Sequence, residues 1–563
     1  MKKFLCLLTL SLSLFTVKAQ QSNMDQGEKY RELLHLLDSY YTDTVNKEKL
    51  TDAAIGKVLE ELDPHSSYIL AKDLKKSDEP LVANFEGIGV TFQLLRDTVM
   101  VLEVIPSGPS ERVGIEAGDK IVTINDSTVA GIKIDNDGVI KRLRGPKNTK
   151  VRVGIKRASA GNDLLTFVIT RDKIPIYSID ASYMADSTTG YIKLLRFSAS
   201  SMSEFFAAVD KLKKQGMKDL IMDLQGNTGG YLMTAIQLCD EFLGEKDLIV
   251  YTKGAHAAKE EYFSDNKGSM KDGKLIVLID EGSASASEIF SGCMQDLDRG
   301  LVIGRRSFGK GLVQKPYGFP DGSVVRLTVA HYYTPTGRCI QRPYDKGKKD
   351  YYDEYTKRIK SGELFGADTS LTFPDSLTYY TKSLRKVYGG GGVVPEIFVP
   401  VDTSLNSGYY QGIRGKGILN NFCLEYVDKN RARLKDQYPT QDAFIANFQV
   451  TDELLEEMYK KGDRDSVKRN LNEMQRSKPL FTNQLKSLIA RDMFDNVAFW
   501  RVTNDMNDSY KKALKVMHED AKFAVLKPSK KELMKIEKEL KKKGVVIHNA
   551  EANDPDNTKD PKK

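Results

Sequence analysis

Leu275-Ile-Val-Leu-Ile279, then Asp280-Glu-Gly-Ser-Ala-Ser-Ala-Ser-Glu288 and the apolar residues Ile289 and Phe290, is the stretch on which the fold turns. The first five residues read as an apolar strand. Residues Ala286 to Leu297 read as a helix, and the serine-rich text between them is the turn. The same alternation extends on both sides. Strand-like runs occur at Tyr191 to Leu195, Leu220 to Asp223 and Leu301 to Ile303, and helical stretches at Met202 to Lys214 and Tyr231 to Phe242. Strands interleaved with helices predict an α/β unit, here over residues 173–402.

Toward the N-terminus, residues 81–172 form a different unit. Short β-type runs (Val90 to Phe92, Val99 to Leu102, Lys120 to Ile124, Val151 to Ile155) are separated by Gly, Pro and Asp. Before them, Leu33, Leu34, Leu37, Leu50, Ile55 and Leu59 recur at helical spacing up to Leu62-Asp-Pro-His65, which predicts a helical region over residues 20–80. Toward the C-terminus, residues 345–388 are a polar, Tyr- and Lys-rich insertion before the glycine turn at Gly389 to Gly392. Residues 403–563 read as a helical extension that passes through Lys-rich text (Lys530, Lys531, Lys541, Lys542, Lys543) to a polar, disordered Lys-rich end. The predicted class is multidomain α+β.

The chain's 563 residues exceed what one core holds and predict about three or four units. Its 40% hydrophobic and 29% charged residues fit soluble globular material. The net charge of +8 is concentrated in the tail, and no basic stripe interleaves with aromatics, so nucleic acid is not an expected partner. Lys2 and Lys3 precede an apolar run from Phe4 to Val17, and Val17-Lys-Ala19 fits a small-x-small cut site. This predicts a secretory signal peptide, residues 1–19, and a periplasmic protein. The run falls short of the roughly 20 residues a bilayer span needs, and Cys6 lies inside it without the small residues a lipoprotein anchor requires. Cys239, Cys293, Cys339 and Cys423 form no C-x-x-C pair or zinc pattern, so buried free thiols are expected, with no metal or cofactor.

Ser285 stands on the strand-to-helix turn, where free N–H groups and the helix dipole favour negative charge. The plain reading is an N-cap. A nucleophilic serine needs a base. His35, His65, His256, His331, His518 and His548 come with no evident orienting acid. A lysine serves if burial makes it neutral, and Lys310 in Ser307-Phe-Gly-Lys-Gly311 is the candidate, with Gln314 four residues on to orient it. Gly304 to Lys310 also matches G-x-x-x-x-G-K. However, Gly311 stands where Ser or Thr should bind Mg²⁺, and Leu312 to Pro316 does not open a helix, so no nucleotide site is expected.

These segments, with Asp223-Leu-Gln-Gly-Asn-Thr-Gly-Gly230, Tyr332-Tyr-Thr-Pro-Thr-Gly-Arg338 and Leu62-Asp-Pro-His-Ser-Ser-Tyr68, resemble the carboxyl-terminal processing peptidases, or tail-specific proteases, over about Lys29 to Pro400. The resemblance implies Ser285 as nucleophile, Lys310 as general base (310 − 285 = 25 residues on) and Gln314 as its orienter. It implies an oxyanion hole from the Ala286 N–H and one of Gly229 and Gly230. Gln225 and Thr228 stand where the family often has Arg and Pro, which leaves the choice of glycine open. Asp296, about three turns along the helix from Ser285, matches an acid implicated in some members; it is too far to touch the nucleophile and is expected to be structural. The insertion and the tail lie outside the common core and receive no role.

Glu86-Gly-Ile-Gly-Val90 resembles the carboxylate-binding loop of PDZ domains, with Gly87, Ile88, Gly89 and Val90 as the peptide-binding residues. Pro106 to Asp119 and Lys120 to Asn125 support it. Arg144 matches an arginine that links the PDZ domain to the active site in some relatives; its other reading is a surface arginine in a turn. The expectation is a periplasmic serine endopeptidase with a Ser/Lys dyad that processes or degrades proteins recognised by apolar C-terminal tails. An adaptor or lipoprotein partner is left open. The alternative is a catalytically inert PDZ-based peptide-binding scaffold, against which the intact Ser285, Lys310 and Gln314 set speaks.

Overall fold

A computed structural model describes residues 25–157, 160–161, 163–366 and 373–543. The predicted signal peptide and the tail beyond Lys543 lie outside them. Two compact units divide between Leu62 and Asp63. The first holds helices Gln26–Tyr40 and Lys47–Leu62. Asp25 caps the former by accepting the Glu28 N–H at 3.2 Å.

The second unit starts at Asp63, so the helical region predicted over residues 20–80 is divided at Leu62. Ser67–Ile69 is a strand antiparallel to Val324–Arg326, and the helix Ala71–Val82 follows. Next comes a β domain with strand order Val90–Leu94, Val99–Val104, Lys120–Ile124, Lys150–Lys156, Leu164–Thr170, with the short helix Pro109–Arg112 and the helix Asn136–Leu143. Its core is Val99, Val101, Ile121, Val139, Val153, Ile155 and Ile169, all buried. The chain enters and leaves through paired strands Asn84–Gly87 and Asp172–Pro175.

The central sheet runs Ile179–Met184, Thr189–Leu194, Asp219–Asp223, Leu275–Ile279, Leu301–Gly304, Ile397–Phe398, parallel after its first pair. All five residues of Leu275–Ile279 are buried. Successive side chains of a strand point to opposite faces, so both faces must be covered. One face packs Val277 and Met222 against helices Ser201–Lys214, Leu232–Asp240 and Ala286–Asp296. The other packs Ile276, Leu278, Ile221 and Tyr191 under Tyr510, Ala513, Val516 and Met517 of the helix Asp508–Met517. The C-terminal extension is therefore part of this core. A second, antiparallel sheet contains Leu312–Gly318 paired with Val324–Tyr333.

The other C-terminal helices build a core around Phe422, Met458, Phe481 and Ile489. The Lys-rich text forms a helix over Lys530–Lys542, and the end predicted to be disordered lies outside the described residues. Ser529 and Glu532 close the start of this helix with reciprocal hydrogen bonds.

Candidate active site

Ser285 is half-buried at the start of the helix Ala286–Asp296, with φ +57° and ψ −115°. A non-glycine residue in that region costs about 1–3 kcal/mol and persists only where its surroundings over-determine it. Two buried side chains do so. Glu288 Oε2 accepts the N–H of Ser285 at 2.8 Å and of Lys310 at 2.8 Å. Its Oε1 accepts the Gly309 N–H at 2.7 Å and the Ser307 hydroxyl at 2.5 Å. Tyr332 works from the carbonyl side, its hydroxyl lying 3.1 Å from Ser285 O and 2.7 Å from Lys310 O. Two residues 25 apart in sequence are thus joined twice through their backbones. Burial raises the Glu288 carboxyl, against four donors that favour its ionised form. Burial also holds the Tyr332 phenol well above its ordinary range, so it stays a donor.

Lys310 is half-buried, and burial lowers its pKa. The negative charges of Glu288 and Asp63 oppose that shift, and Arg326 adds to it. The leader motif is the unforeseen neighbour. Asp63 accepts the backbone N–H groups of His65 (2.7 Å) and Ser66 (2.8 Å), while the His65 ring meets the Tyr351 hydroxyl at 2.9 Å. Burial first, then the Lys310 charge, push His65 down to about 3, too weak a base to activate a hydroxyl near neutrality. Gln314 lies opposite Thr328 at a bulge in the strand pair, and its Nε2 donates to the Thr328 hydroxyl at 3.2 Å.

The glycine loop packs against the same turn. A Cβ on Gly229 would stand 2.8 Å from Ser285 Cβ and 2.9 Å from Ala286 N. Asn227 fixes the loop: its Oδ1 accepts the Gly229 N–H at 2.9 Å, its Nδ2 donates to Leu194 O at 2.9 Å, and its carbonyl accepts the Ala284 N–H at 2.9 Å. The Gly229 carbonyl accepts the Phe197 N–H, and the Tyr231 N–H donates to Phe197 O. Asp296 faces away, paired with buried Arg338 at 2.7 Å and bonded to the Thr336 hydroxyl at 2.7 Å.

Gly87, Ile88, Gly89 and Val90 lie in the β domain. The Ile88 carbonyl accepts from the Ser110 N–H (3.0 Å) and hydroxyl (2.7 Å), and the Gly89 carbonyl accepts the Ile105 N–H (3.0 Å). Gly89 has φ +76°, and a Cβ there would meet Ile174 and Pro109 at 3.1 and 3.2 Å. Beside the loop is a cavity of about 390 Å³ lined by Phe85, Ile88, Val90, Phe92, Ile140 and Leu143. Arg144 lies over the Phe85 ring at 4.2 Å, and its Nη1 donates to both Glu79 oxygens at 2.9 and 2.7 Å.

Residues 188–347 match the family model described as Peptidase family S41, residues 87–170 the PDZ domain model, and residues 409–495 a family of unknown function (DUF8443). The carboxy-terminal processing protease CtpA of Bacillus subtilis (strain 168) is 32% identical over 373 residues, 63% of this chain and 77% of that protein. The chain belongs to the carboxy-terminal processing protease family. A probable CtpA-like serine protease of Staphylococcus aureus (strain N315) is 33% identical over 325 residues, 57% of this chain. The match covers 64% of that relative's length, under two thirds. Among solved structures, the photosystem II D1 C-terminal processing protease aligns at 25% identity and TM-score 0.34, over 66% of this chain and 87% of that one. This processing-protease chain has, among its described residues, no helix long and apolar enough to cross a membrane. Nor do the described residues include a group of three or more His, Cys, Asp and Glu side chains able to hold a metal ion.

Sequence reasoning missed Glu288 and Tyr332 as bridging residues, although both sat inside quoted motifs. The signal was there for Glu288, since an acid at the third helical position commonly bonds back to the cap. Nothing local marked Tyr332, whose two acceptors come from distant segments.

Proposed function

We propose that this chain is an exported serine endopeptidase that cleaves proteins recognised by their C-terminal tails. Neutral Lys310 takes the hydroxyl proton as Ser285 Oγ attacks the scissile carbonyl. The proton passes to the leaving amine as the tetrahedral adduct collapses. Water then hydrolyses the acyl-enzyme, with Lys310 again as base. The carrying observation is the double tie of Ser285 to Lys310 through Glu288 and Tyr332, together with a lysine whose pKa burial lowers. Ala286 opens its helix, where an N–H has no partner within the helix. In the glycine loop the Gly229 N–H is already taken by Asn227, which favours the Gly230 N–H as the second oxyanion donor.

The β domain supplies the tail reading. Inward-bonded carbonyls at Ile88 and Gly89 leave the loop's N–H groups for a carboxylate, and the apolar cavity suits an apolar last residue. Arg144 bonds Glu79 on the helix Ala71–Val82, and the adjacent Asp78 bonds Arg326 at 2.5 Å. This supports Arg144 as a link from groove to active site. The apolar start of the chain supports export and a periplasmic location.

The test measures cleavage of one unstructured substrate and labelling of Ser285 by a fluorophosphonate. Ser285→Ala and Lys310→Ala should each abolish both while the thermal unfolding transition persists, because the two act as one unit. Amidating an apolar tail should slow cleavage roughly ten- to hundredfold, the loss of charge-assisted hydrogen bonds. Full activity in Ser285→Ala would reject the mechanism. Equal rates for free and amidated tails would reject tail recognition and leave the peptidase.

A further inference from the structure

Gln314 has an amide with a donor end and an acceptor end, and only one orientation serves a lysine base. If the NH₂ faced the Lys310 amine, it would compete for the lone pair that must take the Ser285 proton. If the carbonyl faced it, the amine would donate an N–H and keep its lone pair free.

The hydrogen-bond chain behind Gln314 decides between the two. Its far end is the carboxylate of Asp63, a buried residue. An ionised carboxylate only accepts. Asp63 accepts the Ser66 hydroxyl on Oδ2 at 2.5 Å, and on Oδ1 the His65 and Ser66 N–H groups and the Thr328 hydroxyl at 3.1 Å. The Thr328 hydroxyl has one proton, and Asp63 takes it. What the hydroxyl offers Gln314 is therefore a lone pair, and Gln314 Nε2 donates to it at 3.2 Å. The Thr328 N–H donates to Ser66 Oγ at 3.0 Å, so the threonine is held from its backbone as well. The bulge between Val313 and Gln314 sets Gln314 opposite Thr328 in the register.

We propose that Asp63 and Thr328 are positioning residues that fix the polarity of the Gln314 amide, so that its carbonyl accepts an N–H from Lys310 and leaves the lone pair to Ser285. The proposal rests on the Ser285/Lys310 reading and gives a function to the leader motif and to one threonine of the second sheet. Each acts through the next group along, and neither touches substrate.

A double-mutant cycle in the full chain tests it. Thr328→Val keeps shape and removes the hydroxyl. We expect kcat to fall roughly ten- to hundredfold, the scale of a positioned general base, with KM unmoved and Ser285 labelling by a fluorophosphonate slowed in parallel. Thr328→Ser, which keeps the relay, should restore most of the rate. In a Gln314→Ala background, Thr328→Val should cost less than about twofold more, since the group it acts through is gone. A purely structural threonine would give multiplied losses in the two backgrounds, and that result overturns the proposal, as does a folded Thr328→Val enzyme with full kcat. Should Thr328→Val not fold, Thr328→Ala and Asp63→Asn are placed in the same two backgrounds, with the same outcomes deciding. If Lys310→Ala retains activity the dyad itself fails, and that result is read separately from the cycle.

Discussion

Glu288 and Arg326 act on the same lysine in opposite directions. The Glu288 carboxylate lies in the helix that Ser285 begins, binds the Lys310 backbone and raises the pKa of its amine. Arg326 sits on the strand Val324–Tyr333 and lowers it. Burial is the largest influence and also lowers it, so the ammonium gives up its proton below the free-lysine value of about 10.4. In the proposed mechanism only the neutral amine takes the serine proton, so the rate should rise with pH through that lowered pKa and then level. Removing the Arg326 charge removes a group that disfavours the ammonium. Arg326→Gln should therefore move the acid limb of kcat/KM to higher pH, measured with one peptide across the pH range. An unmoved limb would show that another group controls it.

At the scale of elements, the insertion at residues 345–388 changes its meaning in three dimensions. Its helix Gly347–Lys360 packs beside the loop that carries Lys310. Arg358 donates to Ser307 O at 3.1 Å and Arg306 O at 2.6 Å. Glu363 accepts from Arg306 Nε at 2.8 Å and Arg358 Nε at 2.9 Å, with all three side chains buried. Burial raises the Glu363 carboxyl, and the two guanidiniums more than reverse that, so it stays ionised. Taking the charge from one partner of a buried network costs about 3–5 kcal/mol, because the cations left behind are uncompensated. Glu363→Gln should lower stability by about that much, read as a shift of the urea midpoint, and should slow Ser285 labelling before global unfolding. A midpoint shift under about 1 kcal/mol would mean that solvent already screens the network.

Across the whole molecule, the C-terminal extension performs two tasks. Its helix Asp508–Met517 covers one face of the central sheet. Its helix Ile418–Gln437 meets the β domain: Leu424 packs on Leu95 and Met100, Asp428 pairs with Lys120 at 2.8 Å, Glu425 pairs with Arg96 at 2.6 Å, and Asn420 and Asn421 bond Gln93, which lines the cavity beside Ile88 and Val90. Each exposed ion pair contributes at most about 1 kcal/mol, so the sheet cover is the larger effect. A chain ending at Asp402 leaves Tyr191, Ile221, Ile276 and Leu278 facing water. We expect it to aggregate, measured by size-exclusion chromatography and thermal unfolding. A monomeric, active truncation would show that the extension only docks.

The features legible in the sequence are local ones. Ser285 on a strand-to-helix turn, the glycines that flank Lys310, the Gly87-to-Val90 loop and the alternation of strands and helices are all carried by residues near one another in the chain, because turn chemistry and periodicity act over a few positions. The relation of Asp63 to Gln314, of Tyr332 to both Ser285 and Lys310, and of Arg358 to the Lys310 loop belongs to the tertiary structure alone. They join segments from 14 to more than 250 residues apart through one or two hydrogen bonds at each step, as with Thr328 to Gln314 and Asp63. Such a bond depends on where a strand bulges and which side chains are left without water, and neither is written in the residues on either side.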